Sequence, residues 1–241
     1  MTGCLDNLRV VLVATRNPLN LGAAARAMSN LGAAHLRVVR PYEVAFREAR
    51  SAVGAAELLA NAEEFEGVAE AVADCGLVVG TTAAGRRELQ HELRRLEEGG
   101  AAIKRRLRSA RVALLFGSEK VGLSNDDLSH CHWLMRIPTV SQSRSMNLGQ
   151  AVAVCLYEIA RGSAKAAGPP KNKPPAMRDI EQITQMLLEA GRRSGYINPV
   201  VASSTEAKVR RMVRRLNLSS RDVSMWLGIL RQVLWKLRTS E

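Results

Sequence analysis

Five short runs of apolar, mostly β-branched residues recur along the chain, and each is parted from the next by a stretch too long for a hairpin turn. They are LRVVLVA (8–14), LRVV (36–39), LVVG (77–80), VALLFG (112–117) and WLMRIP (133–138). Short buried strands alternating with helical stretches predict an α/β domain built on a mainly parallel sheet. The alanine-rich segment 20–31 ends at Gly32, as a helix with a glycine stop does, and Asn20 is a candidate cap. Segment 148–161 places Val152, Cys155, Leu156 and Ile159 at helical spacing and stops at Gly162, so it is expected to close the α/β unit.

The stretch AKAAGPPKNKPPA holds four prolines and no large apolar residue, which is the composition of a linker. The expected organisation is therefore an α/β domain over 1–163, a linker over 164–176 and a small helical domain over 177–241. In the last part, 178–193 sets Ile180, Ile183, Met186 and Leu187 on one face, with Gly195 as a stop. Ser204 is a candidate cap for a second helix with the apolar face Val209, Met212, Val213 and Leu216. Ser219 followed by Asp222 gives the capping pattern of a third, striped with Val223, Trp226, Leu227, Leu230, Leu234 and Leu237. The linker composition leads us to expect few contacts across it.

Charge is divided unevenly. The net charge of +12 splits into 20 Lys and Arg against 17 Asp and Glu over 1–163, and 15 against 6 over 164–241. A positive field concentrated in the last third of the chain favours a polyanionic partner, with nucleic acid ahead of anionic membrane. Lys208, Arg211 and Arg215 share one helical face and are the candidate RNA contacts. The basic segment 91–111 reads either as a solvated face, which is favoured, or as an RNA-facing strip. No run of about 18 apolar residues occurs, and the N-terminus MTGCLDNLRV has no signal-peptide core, so a cytoplasmic location is expected. The four cysteines form no CxxC pair, which argues against a disulfide framework. Adjacent His130, Cys131 and His132 cannot all turn toward one ion, so no metal is expected.

Three stretches after predicted strands carry candidate chemistry, at the place where open parallel sheets bind ligands. NPLNLGAAARAM (17–28) contains Asn20 and, six residues on, Arg26. LLFGSEKVGLS (114–124) runs a strand into Gly117 and Gly122, and glycine there is read as letting a ligand approach the backbone. Neither GxGxxG nor GxxxxGK[ST] is present, which removes the usual support for a nicotinamide enzyme or a P-loop. IPTVSQSRSMNLGQAVAV (137–154) offers Ser145, Asn147 and free backbone N–H groups before a helix, where either residue is also an ordinary cap.

In order and spacing these stretches resemble the three signature motifs of the SpoU/TrmH branch of the SPOUT RNA methyltransferases. Asn20 and Arg26 match the first motif, Phe116, Gly117, Glu119 and Gly122 the second, and Ser145, Met146, Asn147 and Leu148 the third. The third departs from the usual S-L-N only by Met146, a volume-conserving change. The basic helical tail is similar to that of a subgroup acting on tRNA ribose. The resemblance implies a C-terminal trefoil knot, a homodimer, and S-adenosylmethionine held by Thr81, Thr82, Ala83, Gly117, Glu119, Ile137, Arg144, Ser145, Met146 and Asn147. It further implies 2′-O-ribose methylation of tRNA, in the anticodon loop, with Arg26, Ser145 and Asn20 as catalytic residues. Because arginine side chains ordinarily stay protonated, Arg26 is read as a phosphate clamp and stabiliser of the developing alkoxide. Ser145 is read as orienting the ribose, Asn20 as holding Arg26 or the RNA backbone, and Glu119 as ordering the dimer-facing arginine. Methylation of ribosomal RNA and RNA binding without turnover remain the alternatives.

Overall fold

The computed structural model describes residues 5–42, 55–83, 90–140, 145–161, 175–197 and 202–239. Its strands are β1 (Leu8–Val13), β2 (Leu36–Val39), β3 (Glu63–Phe65), β4 (Leu77–Thr81), β5 (Leu93–Arg95), β6 (Val112–Phe116) and β7 (Trp133–Arg136). They form one sheet in the order β3-β2-β1-β6-β4-β7-β5, with every neighbouring pair parallel. The five apolar runs are the five contiguous central strands. The two strands that sequence reasoning missed, β3 and β5, are the edges, three residues each and not buried. With one face and one side open, an edge strand needs no apolar run to be stable, so it leaves no pattern to read.

The helices are α1 (Pro18–Leu31), α2 (Ala56–Ala60), α3 (Val68–Ala71), α4 (Leu96–Arg106), α5 (Asn125–Ser129), α6 (Leu148–Ala160), α7 (Met177–Arg193), α8 (Ala202–Arg215) and α9 (Ser220–Thr239). One sheet face, with Val10, Leu12, Val79, Leu114 and Phe116, is covered by Leu21 and Met28 of α1, Ile103 of α4, and Val152 and Leu156 of α6. The opposite face, with Val11, Val78 and Leu115, packs on Val68 and Ala71 of α3 and Leu128 of α5. Each fully buried Val, Leu, Ile, Met or Phe among them contributes about 1.5–3 kcal/mol. Helices α1 and α6 lie unusually close, because Gly149 meets Ala23: a Cβ added at Gly149 would sit 2.6 Å from the Ala23 Cβ.

Asn17, not Asn20, caps α1: its side chain accepts from the Leu19 amide at 2.9 Å, and Pro18 occupies the first helical position. Proline has no N–H to satisfy, so the helix starts there and Asn20 falls inside the first turn. Gly32 ends α1 at φ 77.

The C-terminal helices are docked on the α/β unit, contrary to the expectation of few contacts. Met177 N–H donates to Cys75 O at 2.9 Å and Arg178 N–H to Ala73 O at 2.8 Å, and Met177, Ile180, Ile183, Val213, Val223 and Leu230 join the apolar cluster under α3 and α5. Arg210 of α8 reaches Ser129 Oγ at 3.0 Å and Asp126 at 3.4 Å. A proline-rich connection sets chain composition between two units, not whether their faces are complementary. Helix α8 begins at Ala202, which puts Ser204 inside it rather than at the cap, and Met212 and Leu216 are exposed while Val213 is buried. Ser219 caps α9 as expected, with its N–H on Asp222 Oδ2 at 3.0 Å and its Oγ accepting from the Asp222 amide at 3.3 Å.

Candidate active site

The carboxyl ends of three neighbouring strands, β6, β4 and β7, open into a cavity of about 360 Å³. Thr81 Oγ1 donates to Leu115 O at 2.8 Å and the Thr82 amide to Met135 O at 3.0 Å, so the end of β4 is tied to both flanking strands. Thr81, Thr82, Ala83, Gly117, Glu119, Ile137, Ser145 and Met146 all line this cavity. Arg144 lies outside the described residues. Asn147 lines an adjoining groove instead.

Sequence reasoning missed much of the apolar wall, including Leu123, Leu128, Met135 and Ala151, and the rim at Ser118, Lys120 and Thr139. Leu128 belongs to α5, whose start was legible as a capping box: Ser124 Oγ accepts from the Asp127 amide at 3.1 Å and Asp127 Oδ2 from the Ser124 amide at 2.9 Å.

Gly117 is required for a different reason from the one its position suggested. The turn after β6 closes with the Gly122 amide on Ser118 O at 2.9 Å, and Gly122 takes φ 71. A Cβ at Gly117 would sit 2.1 Å from the Gly122 carbonyl carbon and the Leu123 nitrogen. The close approach is thus by the chain's own backbone, which folds over Gly117 to form the cavity wall.

Beside the cavity, one residue from each of the three stretches joins a row of hydrogen bonds. Asn20 Nδ2 donates to Glu119 Oε1 at 3.0 Å, and Asn147 Nδ2 donates to Asn20 Oδ1 at 2.7 Å. Asn147 Oδ1 meanwhile accepts from the Gly149 and Gln150 amides, capping α6, so the capping and the linking roles coexist in one side chain. Glu119 also accepts from the Arg16 amide at 3.4 Å. Within the chain, Glu119 and Asn20 engage each other rather than Arg26. Arg26 is exposed and lines the groove between α1 and α6, beside Asn147, Ala23, Val154 and Tyr157.

Away from the cavity, His130, Cys131 and His132 face three different environments. Cys131 is buried, which pushes its thiol well above the usual range. His132 Nδ1 accepts from the Val78 amide at 3.0 Å, and desolvation, helped by Arg214, lowers its pKa to about 3. His130 is buried beside Arg210, Arg214 and Glu181, and burial first, then the two guanidinium groups, lower its pKa. Lys208 and Arg215 are exposed on α8, and Arg211 is partly so. Arg211 and Arg215 lie near enough to His91 to add to the lowering of its pKa by burial.

The chain matches the SpoU rRNA Methylase family over residues 7–157. It is similar to a tRNA (cytidine/uridine-2′-O-)-methyltransferase TrmJ of Pectobacterium atrosepticum, 34% identical over 235 residues, covering 95% of this chain and 97% of the relative. The Yersinia pestis protein of the same description is 32% identical, over 95% of this chain and 92% of its own length. Among solved structures, TrmJ from Z. mobilis ZM4 superposes with a TM-score of 0.80 at 28% identity, covering 93% of this chain and 98% of that one. An AdoMet-bound rRNA methyltransferase from Sinorhizobium meliloti is 26% identical with a TM-score of 0.51 over 64% of this chain and 56% of its own. With three motif stretches meeting at one strand-end cavity and a family match that spans them all, the chain belongs to the SpoU methylase family.

Proposed function

We propose that this protein transfers a methyl group from S-adenosylmethionine to the ribose 2′-hydroxyl of a cytidine or uridine in the tRNA anticodon loop. The observation that carries the reading is the convergence of Asn20, Glu119 and Asn147, one from each stretch, beside a cavity whose volume suits a small-molecule cofactor. The wall fits the cofactor chemically. Leu123, Leu128 and Ile137 offer apolar surface for a base, while Thr81, Thr82 and the 117–122 turn offer backbone and hydroxyl groups. When bound, S-adenosylmethionine supplies an electrophilic methyl group. The protein's part is to hold the ribose in line and help its hydroxyl lose a proton. Ser145, on the cavity wall, orients the ribose. Arg26 clamps a flanking phosphate and stabilises the developing alkoxide.

Relatives described as acting on tRNA cytidine and uridine span 95% of the chain, tail included, whereas the rRNA methyltransferase structure covers 64%. This favours tRNA over ribosomal RNA. A solved structure described by the 2-OH methylation of C/U34 on tRNA, 27% identical with a TM-score of 0.51, supports the anticodon position. On this reading, residues 1–163 are the catalytic domain, 164–176 the linker and 177–241 the RNA-binding domain, with Lys208, Arg211 and Arg215 on phosphates.

Two finer features belong to the same reading. The chain forms a homodimer through the α1/α6 groove, where Tyr157 is 59% exposed and where Arg26 sits next to Asn147. The chain around the cofactor forms a trefoil knot, with α6 passing back onto α1 after the 137–147 segment. No described helix is long and apolar enough to cross a membrane, and a cytoplasmic location fits a tRNA substrate. The test is incubation with labelled S-adenosylmethionine and unmodified total RNA, followed by mapping of alkali-resistant linkages. Label at an anticodon-loop ribose is expected, and label confined to ribosomal RNA would overturn the tRNA assignment.

A further inference from the structure

At the amino ends of β4 and β7, on the opposite edge of the sheet from the cofactor cavity, the chain encloses a second cavity of about 200 Å³. Its wall is shared between the α/β unit, through Gly76, Arg106 and His132, and the C-terminal helices, through Arg214, Asn217 and Ser219. Among the described residues, no carboxylate lines it. We propose that this cavity binds a phosphate-sized oxyanion, which bridges Arg106, His132 and Arg214 and thereby fastens the C-terminal helices to the sheet.

Arg214 provides the decisive observation. Its side chain is 1% exposed, and Glu181 Oε2 takes only Nη2, at 2.7 Å. Its Nε and Nη1 have no hydrogen-bond partner among the described residues. Buried guanidinium N–H groups are almost always paired, so two orphans on one side chain at a cavity wall mark a missing acceptor. Glu181 cannot neutralise the region alone, because Arg210 shares it at 3.5 Å.

The other two walls supply matching donors. Arg106, at the end of α4, is half-buried, its guanidinium makes no hydrogen bond or ion pair among the described residues, and its pKa is lowered by burial with no carboxylate opposing the effect. His132 accepts through Nδ1, which leaves Nε2 to carry the proton of the neutral ring as a donor. Ser219 caps the 20-residue α9 at this wall, and its hydroxyl and amide are already donated to the Asp222 carboxylate, so the anion is held by the two arginines and His132. The cavity is smaller than the 300 Å³ or so at which drug-sized pockets begin, which selects a simple oxyanion over a nucleotide. The same phosphoryl chemistry is available from free inorganic phosphate and from an RNA backbone phosphate.

The experiment uses the full chain. Thermal unfolding is followed while inorganic phosphate replaces chloride at constant ionic strength. A saturable rise in Tm is expected. Arg106→Met removes a charge with no internal partner, so its Tm in chloride should stay at the wild-type value while its phosphate affinity falls at least about tenfold. tRNA binding measured in the same two buffers separates the sources. Unchanged tRNA affinity supports free phosphate, whereas displacement by phosphate in the wild type but not in Arg106→Met supports a backbone phosphate as the occupant. A phosphate effect no larger than that of chloride, or an equal effect in Arg106→Met, would overturn the proposal.

Discussion

Asn147 donates to the Oδ1 of Asn20 at 2.7 Å across 127 residues of chain, and this bond links the cap of α6 to the first turn of α1. It exists because Gly149 lets α6 settle against Ala23, so helix packing sets the geometry beside the cavity. Asn20→Ala should therefore reduce kcat/KM for methyl transfer by about 10- to 100-fold, since it releases Glu119 and Asn147 together. Cofactor affinity, measured by calorimetry, should change little. Near-normal turnover would mean that the row of hydrogen bonds only supports the fold.

Arg26→Ala should lose nearly all methyl transfer with folding and S-adenosylmethionine affinity retained, because the side chain is exposed and does not line the cofactor cavity. Arg26→Lys should fail as well if a planar fork is needed on the phosphate. Substantial activity in Arg26→Ala would remove this residue from the transition state.

Gly117→Ala should be severe although it adds one methyl. The new carbon overlaps the Gly122–Leu123 backbone, so the turn must reopen, at a cost of roughly 1–3 kcal/mol in stability and with cofactor affinity lost. Gly122→Ala meets no neighbour within 4 Å and is strained only by its φ of 71, about 1–2 kcal/mol. Urea unfolding and calorimetry of the pair would show whether the turn or the ligand demands Gly117: equal cofactor losses would contradict the steric account.

Acidification should loosen the junction between the sheet and the C-terminal helices. His132 titrates at about 3 in the folded chain against 6.5 in the unfolded, so below pH 6.5 the unfolded state binds more protons. Stability is complete above that value and falls as pH drops. Between pH 6.5 and about 4.5 the loss should reach at most about 3 kcal/mol for this ring, and His130 shifts in the same direction. His132→Asn keeps an acceptor for the Val78 amide and should flatten the profile, and an unaltered pH dependence of the urea midpoint in that variant would count against His132 as a source.

Charge reversal at Lys208, Arg211 and Arg215 should weaken tRNA binding and lower its salt slope by roughly 0.7 to 0.9 per lost phosphate contact. The full chain is the right vehicle for this measurement. Truncation near residue 163 would strip Met177, Ile180 and Val213 from the cluster beneath α3 and α5, and the exposed apolar surface should lower the Tm of the remaining domain. Wild-type affinity and slope in the triple variant would send the RNA contact elsewhere on the surface.

The sequence by itself determined whatever repeats locally. The five central strands carry their burial in consecutive apolar residues, helix ends carry Gly32 and the Ser219–Asp222 box, and the three motif stretches carry their own spacing. It was therefore enough to point to the ends of β1, β6 and β7, and the family resemblance added Thr81, Thr82 and Ala83 after β4. Tertiary structure decided what depends on distant partners. Edge strands β3 and β5 are held by one neighbour each; Gly117 is constrained by a backbone five residues on. Asn20 took a linking role once Pro18 moved the cap to Asn17. The burial of Arg214 and the partial burial of Arg210, which share a helix with the exposed Lys208 and Arg215, follow from which face of α8 meets α5 and Glu181. An arginine's pattern along a helix is the same whether that face meets water or protein, and only packing distinguishes the two.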